Sequence, residues 1–215
     1  MAIIAVTGRK GGIGKTTIAG NLAPEFAAMG RTVTVLDADP QHSLAEWPAR
    51  GGGILSRSVE KVDAGRPGAL RAKARKAEKD ADLVLIDTPP GMPETLYQAA
   101  LAADLDLLTC GPSPLDLYSL KETMRLALKA RAVRRSKKPR IRLVPSKVLM
   151  NTNLGRGLSS SLEDMGKKVL PPIGQRIVVA EGVLSGLTVC EYAPSSAAHI
   201  EFEALAKAAN KIINR

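Results

Sequence analysis

The nine residues Arg9-Lys10-Gly11-Gly12-Ile13-Gly14-Lys15-Thr16-Thr17 constrain this chain more than any other stretch. An apolar strand candidate, residues 2–6, runs into them, and a helical pattern runs out of them from Ile18 to Met29. Strand, glycine loop and helix in that order are the setting of a phosphate-binding loop. Glycines let successive backbone N–H groups converge on one concavity, where they hold phosphate oxygens. In such a loop Lys15 reaches the β- and γ-phosphates and the Thr16 hydroxyl ligates Mg²⁺. Gly11, Gly12, Ile13, Gly14 and Thr17 complete the expected nucleotide contacts.

The general pattern places a glycine five residues before Gly14, and Arg9 stands there instead. What the chain carries is Lys10-Gly-Gly-x-Gly-Lys15-Thr16, with a second lysine at the front. That spelling resembles the deviant Walker A motif of the ParA/MinD family of ATPases. The resemblance implies that Lys10 crosses a dimer interface to the phosphates held by a second subunit.

Further along, a strand candidate at residues 32–36 runs into Asp37-Ala38-Asp39-Pro40-Gln41. Carboxylates at the end of a parallel strand beside a phosphate loop suit nucleotide chemistry. Two roles are open to them, orienting the attacking water and supporting Mg²⁺ through its own water. The segment resembles the family's DxDPQ switch I, which implies that Asp39 positions the water. Residues 82–87 form a buried strand ending in Asp87, the shape of a Walker B motif, with Asp87 expected at the metal. Thr88-Pro89-Pro90-Gly91 follows and resembles the family's switch II, with the Gly91 amide expected to approach a γ-phosphate. Gln175 to Pro194 resembles a further family segment. Pro145 departs from the polar residue that relatives often carry there, and the base contacts stay unassigned.

Between these motifs the pattern gives a short helix at 42–50, a break at Gly51-Gly52-Gly53, a strand at 54–62 and a basic helix at 67–79. A strand at 105–110, a helix at 115–135, a strand at 141–144, a helix at 154–165, a strand near Val169-Leu170 and a helix at 196–213 follow. Alternation of this kind implies a mostly parallel twisted sheet with helices on both faces, an α/β phosphate-loop NTPase of the deviant Walker A type. At 215 residues, one domain over 1–215 is expected. Ligands of such sheets bind at the carboxyl ends of the strands, where every motif above falls.

Net charge is +10, which points to a polyanionic partner. Between 129 and 142 there are eight basic residues and no acidic one. Arg131, Arg134, Arg135, Lys137, Lys138 and Arg140 are the candidates for sequence-indifferent contact with a DNA backbone. The i, i+4 stripe Arg71, Arg75, Lys79 reads instead as a solvated helix face. Cys110 and Cys190, 80 positions apart, fit reduced thiols of a cytoplasmic protein better than a metal or iron–sulfur site. No apolar run approaches the ~18 residues of a membrane span.

Taken over the whole chain, the resemblance implies the small ParA type, without a helix-turn-helix ahead of the phosphate loop. It implies an ATP- and Mg²⁺-dependent ATPase that forms a homodimer on ATP and binds nucleoid DNA. A ParB-like adaptor would stimulate it to segregate or position a cargo. The alternative is a MinD-like membrane-associated ATPase, although the last helix looks docked rather than amphipathic at a membrane.

Overall fold

The structure is a computed structural model, and it describes residues 1–50, 53–66 and 68–214. The glycine break expected at 51–52, the helix start at Pro67 and Arg215 lie outside the described residues. Six strands form one all-parallel sheet: β1 (Ala2–Thr7), β2 (Val33–Asp37), β3 (Val59–Lys61), β4 (Leu83–Asp87), β5 (Leu105–Cys110) and β6 (Arg140–Pro145). Their spatial order is β3-β2-β4-β1-β5-β6.

Parallel strands need crossovers, and helices supply them on both faces. In chain order they are α1 (Lys15–Ala28), α2 (Ser43–Glu46), α3 (Ala69–Ala77), α4 (Pro93–Ala102), α5 (Pro114–Val133), α6 (Asn153–Glu163), α7 (Ile177–Leu184), α8 (Val189–Tyr192) and α9 (Ala197–Ile213). Alternation along β1 shows why both faces are covered. Ile4 and Val6 pack with Leu22 and Phe26 of α1 and with Phe202 and Leu205 of α9. Ile3 and Ala5 point the other way, to Leu70 and Ala74 of α3 and Ala99 of α4. A third cluster joins Leu108, Cys110 and Leu143 to Leu120 of α5 and to Leu158 and Leu162 of α6.

Because α1 leaves β1 on one face and α4 leaves β4 on the other, a crevice opens between these neighbouring strands at their carboxyl ends. That is the switch point at which such sheets bind ligands.

Several expected elements need correction. Of the strand expected at 54–62, only Val59–Lys61 pairs with the sheet. Ile54–Arg57 coils into a 3₁₀ turn that buries Leu55 beneath it. No strand forms at Val169-Leu170; two isolated parallel bridges, Leu143 with Val169 and Val148 with Gly174, tie this segment to the sheet edge. Helix α4 was not expected at all. Among the described residues no helix is long and apolar enough to cross a membrane.

Candidate functional site: a phosphate cradle with an orphaned carboxylate

The loop from Gly8 to Gly14 turns β1 into α1. Gly12 and Gly14 hold φ of 73° and 89°, the left-handed region that favours glycine. At Gly14 a side chain is also excluded by space, since a Cβ there would lie 2.6 Å from the Ser146 hydroxyl. Gly14 is the N-cap of α1 and offers no side chain to it, and the first turn holds no acid. The leading N–H groups of α1 and the positive end of its dipole therefore face the loop unmatched, which suits an anion. Around them lies a cavity of about 230 Å³ lined by Gly12, Gly14, Lys15, Thr16, Thr17, Asp39, Pro90 and Lys147.

Register brings the acids to this loop. Val6, at the end of β1, lies beside Asp87 of β4, and Asp87 lies beside Asp37 of β2. Asp37 is fully buried, and its carboxylate accepts the N–H groups of Asp39 (3.1 Å) and Ala45 (3.0 Å). Burial raises its pKa, and those two donors oppose the rise. Asp37 thus shapes the turn beside Asp87. Asp39 is half-buried on the cavity wall and accepts the Gln41 N–H at 2.9 Å. Pro40 and Gln41 are exposed beside it.

Asp87 is the anomaly of the site. It is completely buried, yet no donor among the described residues is aligned on either carboxylate oxygen. Burial pushes its pKa up to about 7; the nearby Thr16 hydroxyl and Lys15 oppose this, while Asp37 and Asp39 add to it. A buried carboxylate normally has partners, and an orphaned one calls for a cation. Lys15 is also buried, which lowers its pKa against the pull of Asp87 and Asp39. Its ammonium donates to the Lys10 carbonyl at 3.0 Å rather than to Asp87. Asp87 and the Thr16 hydroxyl thus fit a hard divalent ion such as Mg²⁺, which takes its other ligands from water and phosphate. Among the described residues no cluster of three or more His, Cys, Asp or Glu could cage a metal alone.

The turn at 88–91 closes the opposite wall. The buried Thr88 hydroxyl donates to the Val6 carbonyl at 2.8 Å, Pro89 is buried, and Pro90 lines the cavity near Gly11. The Gly91 amide, expected to approach a phosphate, instead donates to the Arg9 carbonyl at 2.7 Å. It must leave that partner before it can serve any ligand. Ile13 is buried, and the Lys10 ammonium meets Asp116 of its own chain.

Beyond the cradle a larger cleft of about 710 Å³ begins at Gly14, Thr17 and Ile18 and continues along Ser146, Lys147, Leu149, Ile173 and Gln175 to Ile177 and Val183. Arg176 at its edge is fixed by Glu201, at 2.6 and 3.1 Å. The sequence leaves the base contacts unassigned, because the walls of this cleft come from the start of α1, the loop after β6, the irregular segment 173–176 and α7, which only tertiary contact joins. Cys110 is no part of the site: its buried thiol, pushed up to about 12 by burial and by Asp116, faces the core.

The basic run lies at the other end of the sheet. Arg134 donates to the Ala103 carbonyl, Lys138 pairs with Asp104 at 2.8 Å, and Arg140 donates to the Ile212 carbonyl. These three DNA candidates are committed to the fold. Arg131, Arg135 and Lys137 are exposed. Arg71 and Arg75 of α3 act on the charge of Arg134, so the stripe read as separate joins the same region.

A family model described as the CobQ/CobB/MinD/ParA nucleotide binding domain matches residues 4–189. The chain is 29% identical over 188 residues to the maintenance of carboxysome distribution protein A of Halothiobacillus neapolitanus, covering 86% of this chain and 85% of that one. It is 31% identical over 226 residues to the chromosome-partitioning ATPase Soj of Thermus thermophilus, covering 90% and 89%. The solved structure of the septum site-determining protein MinD from Pyrococcus horikoshii, complexed with Mg-ADP, superposes with a TM-score of 0.78. There the identity is 21%, with 99% of this chain and 97% of that one covered, a likeness of fold.

Proposed function

This chain belongs to the CobQ/CobB/MinD/ParA nucleotide-binding family, and from that premise we propose that it is a Mg²⁺-dependent ATPase that positions a cargo by cycling on and off DNA. The orphaned Asp87 carboxylate, set between Thr16, Lys15 and an uncapped helix N-terminus, carries the reading. Bound Mg²⁺ would offset charge on the β- and γ-phosphate oxygens. The amides of residues 11–17 bind and orient the phosphates. Lys15 leaves the Lys10 carbonyl for the γ-phosphate, and Asp39, on the cavity wall, orients the attacking water. The larger cleft takes the nucleoside.

Catalysis is completed by a second copy whose Lys10 adds charge at the γ-phosphate, so ATP drives homodimer formation. Large apolar side chains left exposed around the nucleotide end, including Leu115, Met150, Leu154 and Ile177, favour such a partner. The exposed Arg131, Arg135 and Lys137 give the dimer its hold on DNA, and a ParB-like adaptor accelerates turnover. The relatives named for carboxysome distribution and chromosome partitioning motivate the choice of cargo positioning. The MinD-like membrane alternative is less favoured, because the apolar face of α9 is spent on α1 and β1.

Steady-state phosphate release with Mg²⁺ and light scattering with ATP or ADP test the proposal together. Slow turnover with an ATP-dependent doubling of mass is expected. A mass unchanged by ATP, or turnover indifferent to Mg²⁺ removal, would refute it.

A further inference from the structure

Lys10 is not extended toward a neighbour. Its ammonium lies 2.5 Å from the Asp116 carboxylate of the same chain, in the first turn of α5. Asp116 is nearly buried, with its side chain 10% exposed, while that of Lys10 is 40% exposed. The surroundings are built for that carboxylate. A Cβ on Gly111 would stand 2.5 Å from its second oxygen, so a larger residue at the β5–α5 turn would push the carboxylate from this position. Two further contacts bind the front of the loop to the same helix: the Arg9 N–H donates to the Thr123 hydroxyl at 3.1 Å, and Arg9 pairs with Glu122 at 4.0 Å.

We propose that Asp116 is a positioning residue for Lys10, holding the ammonium on its own subunit until ATP and a second copy draw it away. The inference rests on the cross-subunit role of Lys10 proposed above. An ammonium cannot serve Asp116 in one chain and a phosphate in another at once. The internal pair therefore competes with dimer formation and sets the ATP and protein concentrations at which dimers appear. Each dimer must break two such pairs. A half-exposed pair holds its partners by roughly fivefold, so releasing both shifts the dimer dissociation constant by about 25-fold.

The test measures dimer dissociation constants in Mg-ATP for the unsubstituted chain, Asp116→Asn, Lys10→Ala and the double variant. Tighter dimers in Asp116→Asn, with no such gain when Lys10 is already alanine, are expected. Unchanged or weaker dimers in Asp116→Asn would overturn the proposal, as would the same gain in both backgrounds. If instead Lys10→Ala alone hydrolyses ATP and dimerises normally, the cross-subunit reading fails, a separate result. Should Asp116→Asn not fold, the unsubstituted nucleotide-free protein still decides. A held Lys10 ammonium gives its own slowly exchanging ¹⁵N resonance that ATP abolishes, and a resonance indistinguishable from those of exposed lysines would overturn the proposal.

Discussion

Replacing Asp87 by asparagine should reverse the sign of its effect on stability between acid and alkaline pH. The native carboxyl titrates at about 7 instead of 3.8, chiefly because it is buried. A raised native pKa means the folded state holds the proton more tightly than the unfolded one. Its ionisation therefore costs nothing below about pH 4; the cost grows as pH rises through the window and saturates above pH 7. A difference of about three pH units at ~1.36 kcal/mol each sets an upper limit of about 4 kcal/mol. Asparagine keeps the shape without the charge, but its own unmatched amide costs about 1–3 kcal/mol at every pH. The variant should be less stable than the parent near pH 4.5 and more stable near pH 8, a swing of about 3 kcal/mol that is independent of the amide term. Asp106, whose pKa burial likewise raises to about 7, contributes equally to both proteins and cancels. Urea unfolding of the nucleotide-free proteins across this range measures the swing. At about 2 kcal/mol per molar urea, it moves the difference in midpoints by about 1.5 M. Stability curves that stay parallel from pH 4.5 to 8 would refute the claim that Asp87 is an uncompensated buried charge. Repeating the pH 8 series with Mg-ATP should stabilise the parent and leave the variant nearly unmoved.

Four further substitutions separate the roles around the cradle. Lys15→Ala should abolish nucleotide binding, whereas Lys10→Ala should bind ATP by calorimetry yet lose phosphate release. Asp39→Ala should accumulate as an ATP-bound dimer, seen as a doubled mass by light scattering that persists long after the parent has returned to monomer. Gly14→Ala imposes a φ of 89° on a residue with a side chain and drives its Cβ toward Ser146. Strain of this kind costs about 1–3 kcal/mol, so as the loop relaxes out of its binding shape a fluorescent-nucleotide titration should show ATP affinity reduced about fivefold or more.

What the sequence disclosed and what it withheld divide along the range of the interactions. The phosphate loop, the end of β2 and the end of β4 are each written in a few consecutive residues, and register alone then aligns Val6, Asp87 and Asp37. Strand β5 runs over the six residues expected, because both its neighbours are buried strands. Helix α4 escaped notice because its buried side is made of Thr95, Leu96, Ala99, Ala100 and Ala102, small residues with little periodic contrast. Asp116 could not have been singled out. It stands 106 positions from Lys10, and an acid in the first turn of a helix has the ordinary explanation of matching the helix dipole. The same holds for Arg134, Lys138 and Arg140, whose acceptors at Ala103, Asp104 and Ile212 are remote in sequence.

Helix α5 joins the two candidate chemistries. Asp116 lies in its first turn and Arg131 in its last, 15 residues and so about 22 Å apart. No proline or glycine interrupts the helix between them, so it offers no hinge through which the nucleotide could rearrange the basic end. Any dependence of DNA binding on ATP must then come from how many basic ends are presented together. A dimer offers two clusters of Arg131, Arg135 and Lys137 where a monomer offers one, and linked clusters gain avidity without any new contact. The salt dependence separates this from a local rearrangement. Three phosphate contacts give a slope of about −2.7 in log K against log salt, and six give about −5.4. Doubling of the slope on adding ATP is the expected result with random-sequence duplex. Charge reversal at Arg131, Arg135 and Lys137 should flatten the slope in both states. Tighter binding with ATP at an unchanged slope would mean that the contacts themselves improve, and the argument from valence would fail.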